Sequence, residues 1–421
     1  MSEWREVRIG DVCKVGDGAH AKVARQDKGV LYLTSKNFDA GKLKLDDVDF
    51  ISEEDYERLF PEKSKAVTRL QSNDILMGII GTFGNAYRYQ ETDHFGVSSS
   101  VAIIRPDSSE LNADFLVYLL NSEKFKCVHR SYSSGSVQGY SNIPTIKQMP
   151  FSLPSVQTQE KIVAILKSLD RKIENLRKQN ETLEALVQIL FKHWFVDFEF
   201  PSDDDKPYKS SGGEMETSEL GGIPAGWRIG KLGDEVETLG GGTPSTKEPD
   251  YWINGDIPWY SPTDLTKSNT LFSLGSEKQI TKLGLEKSSA KLFSAYSVLL
   301  TSRATIGEIA INTKPACTNQ GFITLIPNEK FSVYFLYSWL LTQINIIKQL
   351  ASGSTFPELS KSNFRSFLFL IPESKQLNNF DKIIEPMFHK IENNIKQINT
   401  LNQFRDVLLP KLINGQIKVR D

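Results

Sequence analysis

Between Gln157 and about Phe198, apolar residues recur in alternating steps of four and three. They are Ile162, Leu166, Leu169, Ile173 and Leu176, then, past Asn180, Leu183, Val187, Leu190 and Trp194. This is a heptad seam, the mark of a long helix that buries one narrow stripe against another helix. The same chain supplies the partner. Advancing by 218 residues finds Phe380, Ile384, Met387, Ile391, Asn394, Ile398, Leu401, Arg405, Leu408 and Leu412, and Lys172-Ile173-Glu174-Asn175 returns as Lys390-Ile391-Glu392-Asn393. Two helices of about 40 residues, each spanning ~60 Å, are expected to pair antiparallel within one chain. Asn180 and Asn394 sit where apolar residues would be more stabilising, a trade of stability for fixed register. Pro386 and Pro410 interrupt the second seam, and an interior proline costs about 3 kcal/mol. The second helix is therefore expected to start near Pro386 and to stop between Pro410 and Gly415.

The seams belong to a larger duplication. Trp4-Arg5-Glu6-Val7-Arg8-Ile9-Gly10-Asp11 is answered by Trp227-Arg228-Ile229-Gly230-Lys231-Leu232-Gly233-Asp234 at an offset of 223, and Gly81-Thr82-Phe83-Gly84 by Ala304-Thr305-Ile306-Gly307 at the same offset. The offset becomes 221 at Val101 and Phe322, and 218 at Ser134-Gly135-Ser136 and Ser352-Gly353-Ser354. Matching blocks with small insertions between them mean a shared scaffold joined by loops that differ. Val30–Leu33, Ile75–Ile80, Ala86–Tyr89 and Val97–Ile104 read as strands, whereas Asn112–Asn121 and its counterpart Val333–Leu341 read as short apolar-faced helices. The fold class is thus mixed α/β (α+β): two repeated globular domains of about 150 residues, each followed by one long helix of an antiparallel coiled coil. The expected boundaries are 1–154 for the first domain, 155–199 for the first helix, 200–226 for a linker or loop, 227–372 for the second domain and 373–421 for the second helix.

Composition limits the function. With 39% hydrophobic and 24% charged residues the chain is ordinary globular protein, and its three cysteines, Cys13, Cys127 and Cys317, form no CxxC pair. Buried free thiols are expected rather than disulfides or zinc. No apolar run is long enough for a membrane span and Met1-Ser2-Glu3-Trp4 has no secretory layout, so a cytoplasmic location is expected. A net charge of −2 is unusual for a protein that grips DNA alone. If DNA is the ligand, other subunits must neutralise much of its phosphate.

Catalytic patterns are absent. The five histidines show no metal-ligand spacing, Gly240-Gly241-Gly242-Thr243-Pro244 leads into no Lys-Ser or Lys-Thr helix, and the chain has no Asn-Pro-Pro or Asp-Pro-Pro tripeptide. The acidic run from Asp46 to Glu57 reads as a solvated face. What recurs instead, at matching places in both copies, is small polar and aromatic loop residues of the kinds that bond base edges and phosphates. In the first copy these are Thr34, Ser35, Lys36, Asn37, Thr82, Ser99, Ser134, Ser136, Gln138 and Tyr140. In the second they are Tyr260, Thr263, Ser302, Arg303, Thr305, Asn319, Gln320, Ser352, Ser354 and Phe356.

With these features in place, the chain resembles the specificity subunit of type I restriction-modification enzymes over essentially its whole length. The most specific resemblance lies in Leu190 to Phe198 and in Gly222-Ile223-Pro224-Ala225-Gly226-Trp227 through Gly242-Thr243-Pro244-Ser245. Pro154 to Gln159, Gly81-Thr82-Phe83-Gly84 and Thr305-Ile306-Gly307 support it. The resemblance implies a non-catalytic subunit with two target-recognition domains, each reading half of a split double-stranded DNA sequence. The helices would act as a spacer and as the docking surface for two methyltransferase subunits. S-adenosylmethionine would sit on those partners, none on this chain, and a motor-nuclease subunit would join the full complex. The absence of a Thr243-Pro244 counterpart leaves contacts near Gly16 to His20 open. Phe191, Trp194, Phe195 and Phe198, of which only Trp194 lies on the seam, are expected to anchor a methyltransferase subunit. A stand-alone DNA methyltransferase or nuclease, and a coiled-coil scaffold unrelated to DNA, remain alternative readings; only the first alternative would require S-adenosylmethionine binding or metal-dependent cutting by the isolated chain.

Overall fold

The computed structural model describes residues 4–39, 41–63, 67–81, 84–132, 140–351 and 358–419. The chain divides into two compact units, Met1–Lys172 with Leu401–Asp421, and Ile173–Thr400. Each contains one copy of the repeat and a stretch of both long helices.

In the first unit a four-stranded antiparallel sheet runs in the order β1 (Cys13–Asp17), β4 (Val101–Pro106), β2 (Ile75–Gly78), β3 (Ala86–Arg88). Both faces of β2 and of Val101–Ile104 in β4 are covered, so these positions are apolar throughout rather than alternating. The two-residue period sorts their side chains. Ile75, Met77, Ala102 and Ile104 face Phe115 and Leu116 of helix α1 (Ala113–Asn121) and Ile162 and Leu166 of helix α2 (Val156–Phe195). Leu76, Val101 and Ile103 face Leu33, Phe95 and Val97, which belong to a second, three-stranded sheet.

The second unit repeats the plan. Its sheet runs β5 (Glu237–Gly240), β9 (Phe322–Ile326), β7 (Val298–Thr301), β8 (Ile309–Asn312), β6 (Phe272–Ser273). Val298, Leu300, Ile323 and Leu325 face helix α3 (Val333–Ala351), while Leu299 and Phe322 face Tyr260 and Leu265. Registers match as well: Asp17 pairs with Ala102 as Gly240 pairs with Ile323, and Gly78 with Val101 as Thr301 with Phe322.

Helix α4 spans Ser374–Ile413, so the expected start near Pro386 is wrong. The helix continues because Pro386 is exposed, where the carbonyl it leaves unbonded meets water, while Phe380, Ile384, Phe388 and Ile391 are fully buried around it. It ends where Gly415 takes a φ of +68° and donates back to the Leu412 carbonyl at 3.2 Å. Within the second unit the helices run antiparallel: Asn394 donates to Asn180 Oδ1 at 2.9 Å, and Phe191 and Trp194 lie against Phe380. In the first unit Arg405 meets Asp170 at 3.1 Å. Residues 200–226, expected as a linker, are packed: Phe200 stacks between Tyr208 and Trp227 at 4.6 and 5.0 Å, and Met215–Ser218 pairs with Gly221–Pro224 as a hairpin. No helix among the described residues is long and apolar enough to cross a membrane.

Candidate nucleic-acid interface

Beyond the sheets, the two copies hold their loops with the same backbone hydrogen bonds. The loop after β1 is fixed by Ala19 donating to the Val97 carbonyl at 2.9 Å, and the loop after β5 by Gly242 donating to Thr318 at 2.9 Å. Just before these donors, Gly18 and Gly241 pass so near the same strand that an added Cβ would lie 2.1 Å from a carbonyl oxygen of Val97 or Asn319. The loop after β2 closes through Gly84 donating to Gly78, and that after β7 through Gly307 donating to Thr301, both at 3.0 Å. Gly81 and Ala304 both take positive φ, +77° and +62°. In Ala304 this is a conformation that costs an L-residue energy, held by the surrounding turn. Ser141 donates to Ile79 at 3.1 Å as Leu359 does to Ser302 at 2.9 Å, and the bridge Ile80–Tyr140 recurs as Arg303–Glu358.

These shared frames display unlike side chains. In the first unit Asp17, His20, Ile80, Ser99, Tyr140 and Asn142 line a recess of about 350 Å³. The His20 imidazole Nε2 donates to the carboxylate Asp17 Oδ2 at 2.8 Å. The corresponding positions of the second unit are Gly240, Thr243, Arg303, Gln320, Glu358 and Ser360. There the Thr243 hydroxyl donates to Gln320 Oε1 at 2.6 Å, and Arg303 donates to both Glu358 oxygens at 2.7 and 2.8 Å. Beneath the first recess lies buried His129, whose Nε2 meets Ser141 Oγ at 3.0 Å; burial pulls its pKa down to about 4.

The expected base-reading residues therefore divide. Ser99 and Tyr140 line the recess of the first unit, Arg303 and Gln320 hold repeat-equivalent positions on the loops of the second, and Lys36, Thr263 and Thr305 are exposed. Several others require correction. Thr34 and Asn37 cap a turn: the Thr34 amide donates to Asn37 Oδ1 at 2.9 Å, while Asn37 Nδ2 donates to the Lys44 and Asp47 carbonyls. Ser261 and Asp264 build the same cap in the second unit. Ser35 is buried and donates to the Ile80 carbonyl at 2.5 Å, and Ser302 is 3% exposed. Tyr260 is 1% exposed in the core, where burial pushes its phenol pKa up. Half-buried Asn319 uses Oδ1 on the Gly321 amide at 2.8 Å. These groups hold loops in place and have little or no surface for a base. Thr82, Ser134, Ser136, Gln138, Ser352, Ser354 and Phe356 lie outside the described residues. Asp17, His20, Asn142, Thr243 and Glu358 were missed, although extending the repeat offsets into the loops would have found them.

The aromatic anchor also needs correction. Phe191, Trp194 and Phe195 are at most 5% exposed. Phe195 packs on Phe335 at 5.1 Å and on Phe380 at 4.8 Å, because α3 covers the side of α2 that the seam does not. Phe198 is half-buried on Trp227. Among the described residues no group of three or more His, Cys, Asp or Glu could hold a metal ion. Cys13 and Cys317 are buried free thiols whose pKa burial pushes up to about 12.

Duplicated loop frames that display unlike polar side chains, together with a helix pair, define a recognition protein with two reading units. Residues 1–185 and 224–403 match the type I restriction modification DNA specificity domain, and the chain belongs to that family. It is similar to the MjaIX specificity subunit of Methanocaldococcus jannaschii, at 31% identity over 73% of this chain and 70% of that protein. The HindI specificity subunit of Haemophilus influenzae is 26% identical over 99% of this chain and 100% of that one. In fold the chain is similar to the crystal structure of a type I S subunit from M. genitalium, at 18% identity, a TM-score of 0.57 and 97% and 96% coverage. Its role is DNA sequence specificity within a restriction-modification system, and it is not itself the enzyme.

Proposed function

We propose that each unit reads one half of a split duplex sequence, using loops on the matched frames, and that the helices set the gap between the halves. The observation that carries this is the pairing of equal backbone geometry with unequal side chains at the same positions. One frame with two chemistries suits two half-sites of different sequence. Lys36, Ser99, Tyr140, Thr263, Arg303, Thr305 and Gln320 are the contact residues, together with the polar residues of 133–139 and 352–357.

The helices dock two copies of a methyltransferase partner, which carries S-adenosylmethionine and neutralises the phosphates that a chain of net charge −2 leaves bare. Exposed apolar pairs support this. Leu186 and Ile189 are 40% and 64% exposed on α2, while Phe404 and Val407 are 53% and 59% exposed on α4. Both pairs sit three residues apart on one helix face and are related by the 218-residue offset. Large apolar side chains left in water at repeat-equivalent positions suit two copies of one partner. A restriction subunit would join this assembly in the cytoplasm.

Exchanging residues 1–154 for those of a relative, in the complex with methyltransferase subunits, tests the central claim. Mapping methylated sites should show one half of the target changed and the other retained. A target altered in both halves, or in neither, refutes it.

A further inference from the structure

The recess of the first unit and the matched loops of the second carry enough chemistry to say what each accepts. Among the described residues Asp17 is the only formally charged acceptor lining the first recess, and its side chain is 26% exposed. A carboxylate repels phosphate, so against DNA it must face a donor on a base edge. In the major groove those donors are the exocyclic amino groups of cytosine and adenine. Adenine places the N7 acceptor beside its amino group, where the second carboxylate oxygen would meet a lone pair. Cytosine places a C–H there, so it is the better fit. The His20 hydrogen bond occupies one of roughly four lone-pair positions on the carboxylate and fixes its direction without consuming it.

In the second unit Gly240 stands at the position of Asp17, and the polar group beside Thr243, the counterpart of His20, is instead the amide of Gln320, the counterpart of Ser99. Because the Thr243 hydroxyl donates to Gln320 Oε1, the amide is oriented with one oxygen lone pair and its NH2 still to offer. An acceptor beside a donor matches adenine N6 and N7. Guanine would set its O6 against the amide oxygen. Arg303, the side chain best suited to guanine, is held by both oxygens of Glu358, so the adenine-matching pair of groups falls to Gln320.

We infer that the matched loop frames carry base-specific subsites built from different positions, with Asp17 selecting cytosine in the half-site of the first unit and Gln320 selecting adenine in that of the second. This rests on the split-target reading above. His20 and Thr243 are positioning residues, each holding the reading group at a fixed angle.

The test uses the full chain in complex with its methyltransferase subunits and a duplex library randomised across both half-sites, scored by sequencing the methylated fraction. Asp17→Ala should relax discrimination at one C·G position of one half-site by about 5- to 150-fold. Gln320→Ala should do the same at one A·T position of the other half-site. Asp17→Asn and Gln320→Leu keep side-chain size and serve where truncation lowers the melting temperature. Preferences unchanged at every position, relaxation of a base pair of the other kind, or a uniform loss across all sequences would each overturn the assignment. If the unaltered complex shows no split preference at all, the function reading fails; if it does and the variants leave it intact, only the subsites fail.

Discussion

Replacing Phe195 with alanine separates a core role from a docking role in a single measurement. The ring is 5% exposed and touches Phe191, Trp194, Trp227, Phe335 and Phe380, with centroids between 4.8 and 6.2 Å away. Three of these neighbours come from elements outside α2, so neither helix can collapse into the gap without moving the sheet behind it. Truncating a phenylalanine in such a site costs about 3–5 kcal/mol through lost transfer energy and the cavity left behind. For a unit of this size about 2–4 °C of melting temperature is lost per kcal/mol, so Phe195→Ala should lower the transition of the second unit by roughly 6–20 °C. Scanning calorimetry of the full chain reads this directly. At a temperature where the variant is still folded, its affinity for a methyltransferase partner should be unchanged. An unaltered melting temperature with lost partner binding would refute the core assignment and return Phe195 to the interface.

Three further outcomes are expected. Asn394 is fully buried, donates to Asn180, and its Oδ1 finds no hydrogen-bond partner among the described residues. Asn394→Leu alone should cost about 1–3 kcal/mol by stranding Asn180, whereas Asn180→Leu with Asn394→Leu should be neutral or stabilising in denaturant melts; additive losses would count against the pairing. Ile189→Asp and Val407→Asp should each weaken co-purification with the methyltransferase partner while leaving the melting temperature within about 1 °C, since surface changes are usually within ±0.5 kcal/mol; intact co-purification would move the interface elsewhere. In the first unit burial holds the folded His129 pKa at about 4, below its ordinary 6.5. The unfolded chain therefore takes up a proton first as pH falls, and up to about 3 kcal/mol is lost between pH 6.5 and 4. In the second unit burial with nearby Glu181 raises Glu184 to about 7, and burial raises Asp381 to about 6. Their contribution is present at low pH and is lost as pH rises through those values. Calorimetry across pH 4 to 7 should show opposite slopes for the two transitions, and His129→Gln should flatten only the first.

What was legible in the sequence is what depends on local periodicity. The heptad steps survive in any tertiary context, so α2 and α4 were visible with their antiparallel pairing. Runs such as Val30–Leu33 and Ile75–Gly78 stood out because strands buried on both faces are apolar at every position. The failures are all non-local. Pro386 reads as a break until its exposed side is known, and residues 200–226 read as a linker until Phe200, Tyr208 and Trp227 are seen to stack. The seam accounts for one face of α2, but nothing in its own pattern says that α3 covers the neighbouring face and takes in Phe191 and Phe195. The same blindness affected the polar loops, because Asn37 and Gln320 are similar side chains in the sequence. One is spent on the carbonyls of Lys44 and Asp47 in the following loop, whereas the other is exposed and held by a single hydroxyl.

The offsets bear on the proposal that specificity resides in these loop frames. A net insertion of one residue within a strand would turn every following side chain to the opposite face of the sheet. The register of β1 on β4 and of β5 on β9 shows no such slip. Changes of offset fall instead between elements: from 223 at Ala86 and Ile309 to 221 at Val97 and Thr318, and then to 220 at Ala113 and Val333. The segments that frame the recesses, after β1 and β5 and after β2 and β7, keep the same length in both copies and the same hydrogen bonds. Length variation is thus kept out of these two segments, the further step to 218 falling ahead of Tyr140 and Glu358, while side-chain identity varies within them. On the proposed assignment such a frame would take a new target by substitution alone, because exchanging Asp17 or Gln320 would alter which donor or acceptor meets the base without moving the backbone that presents it.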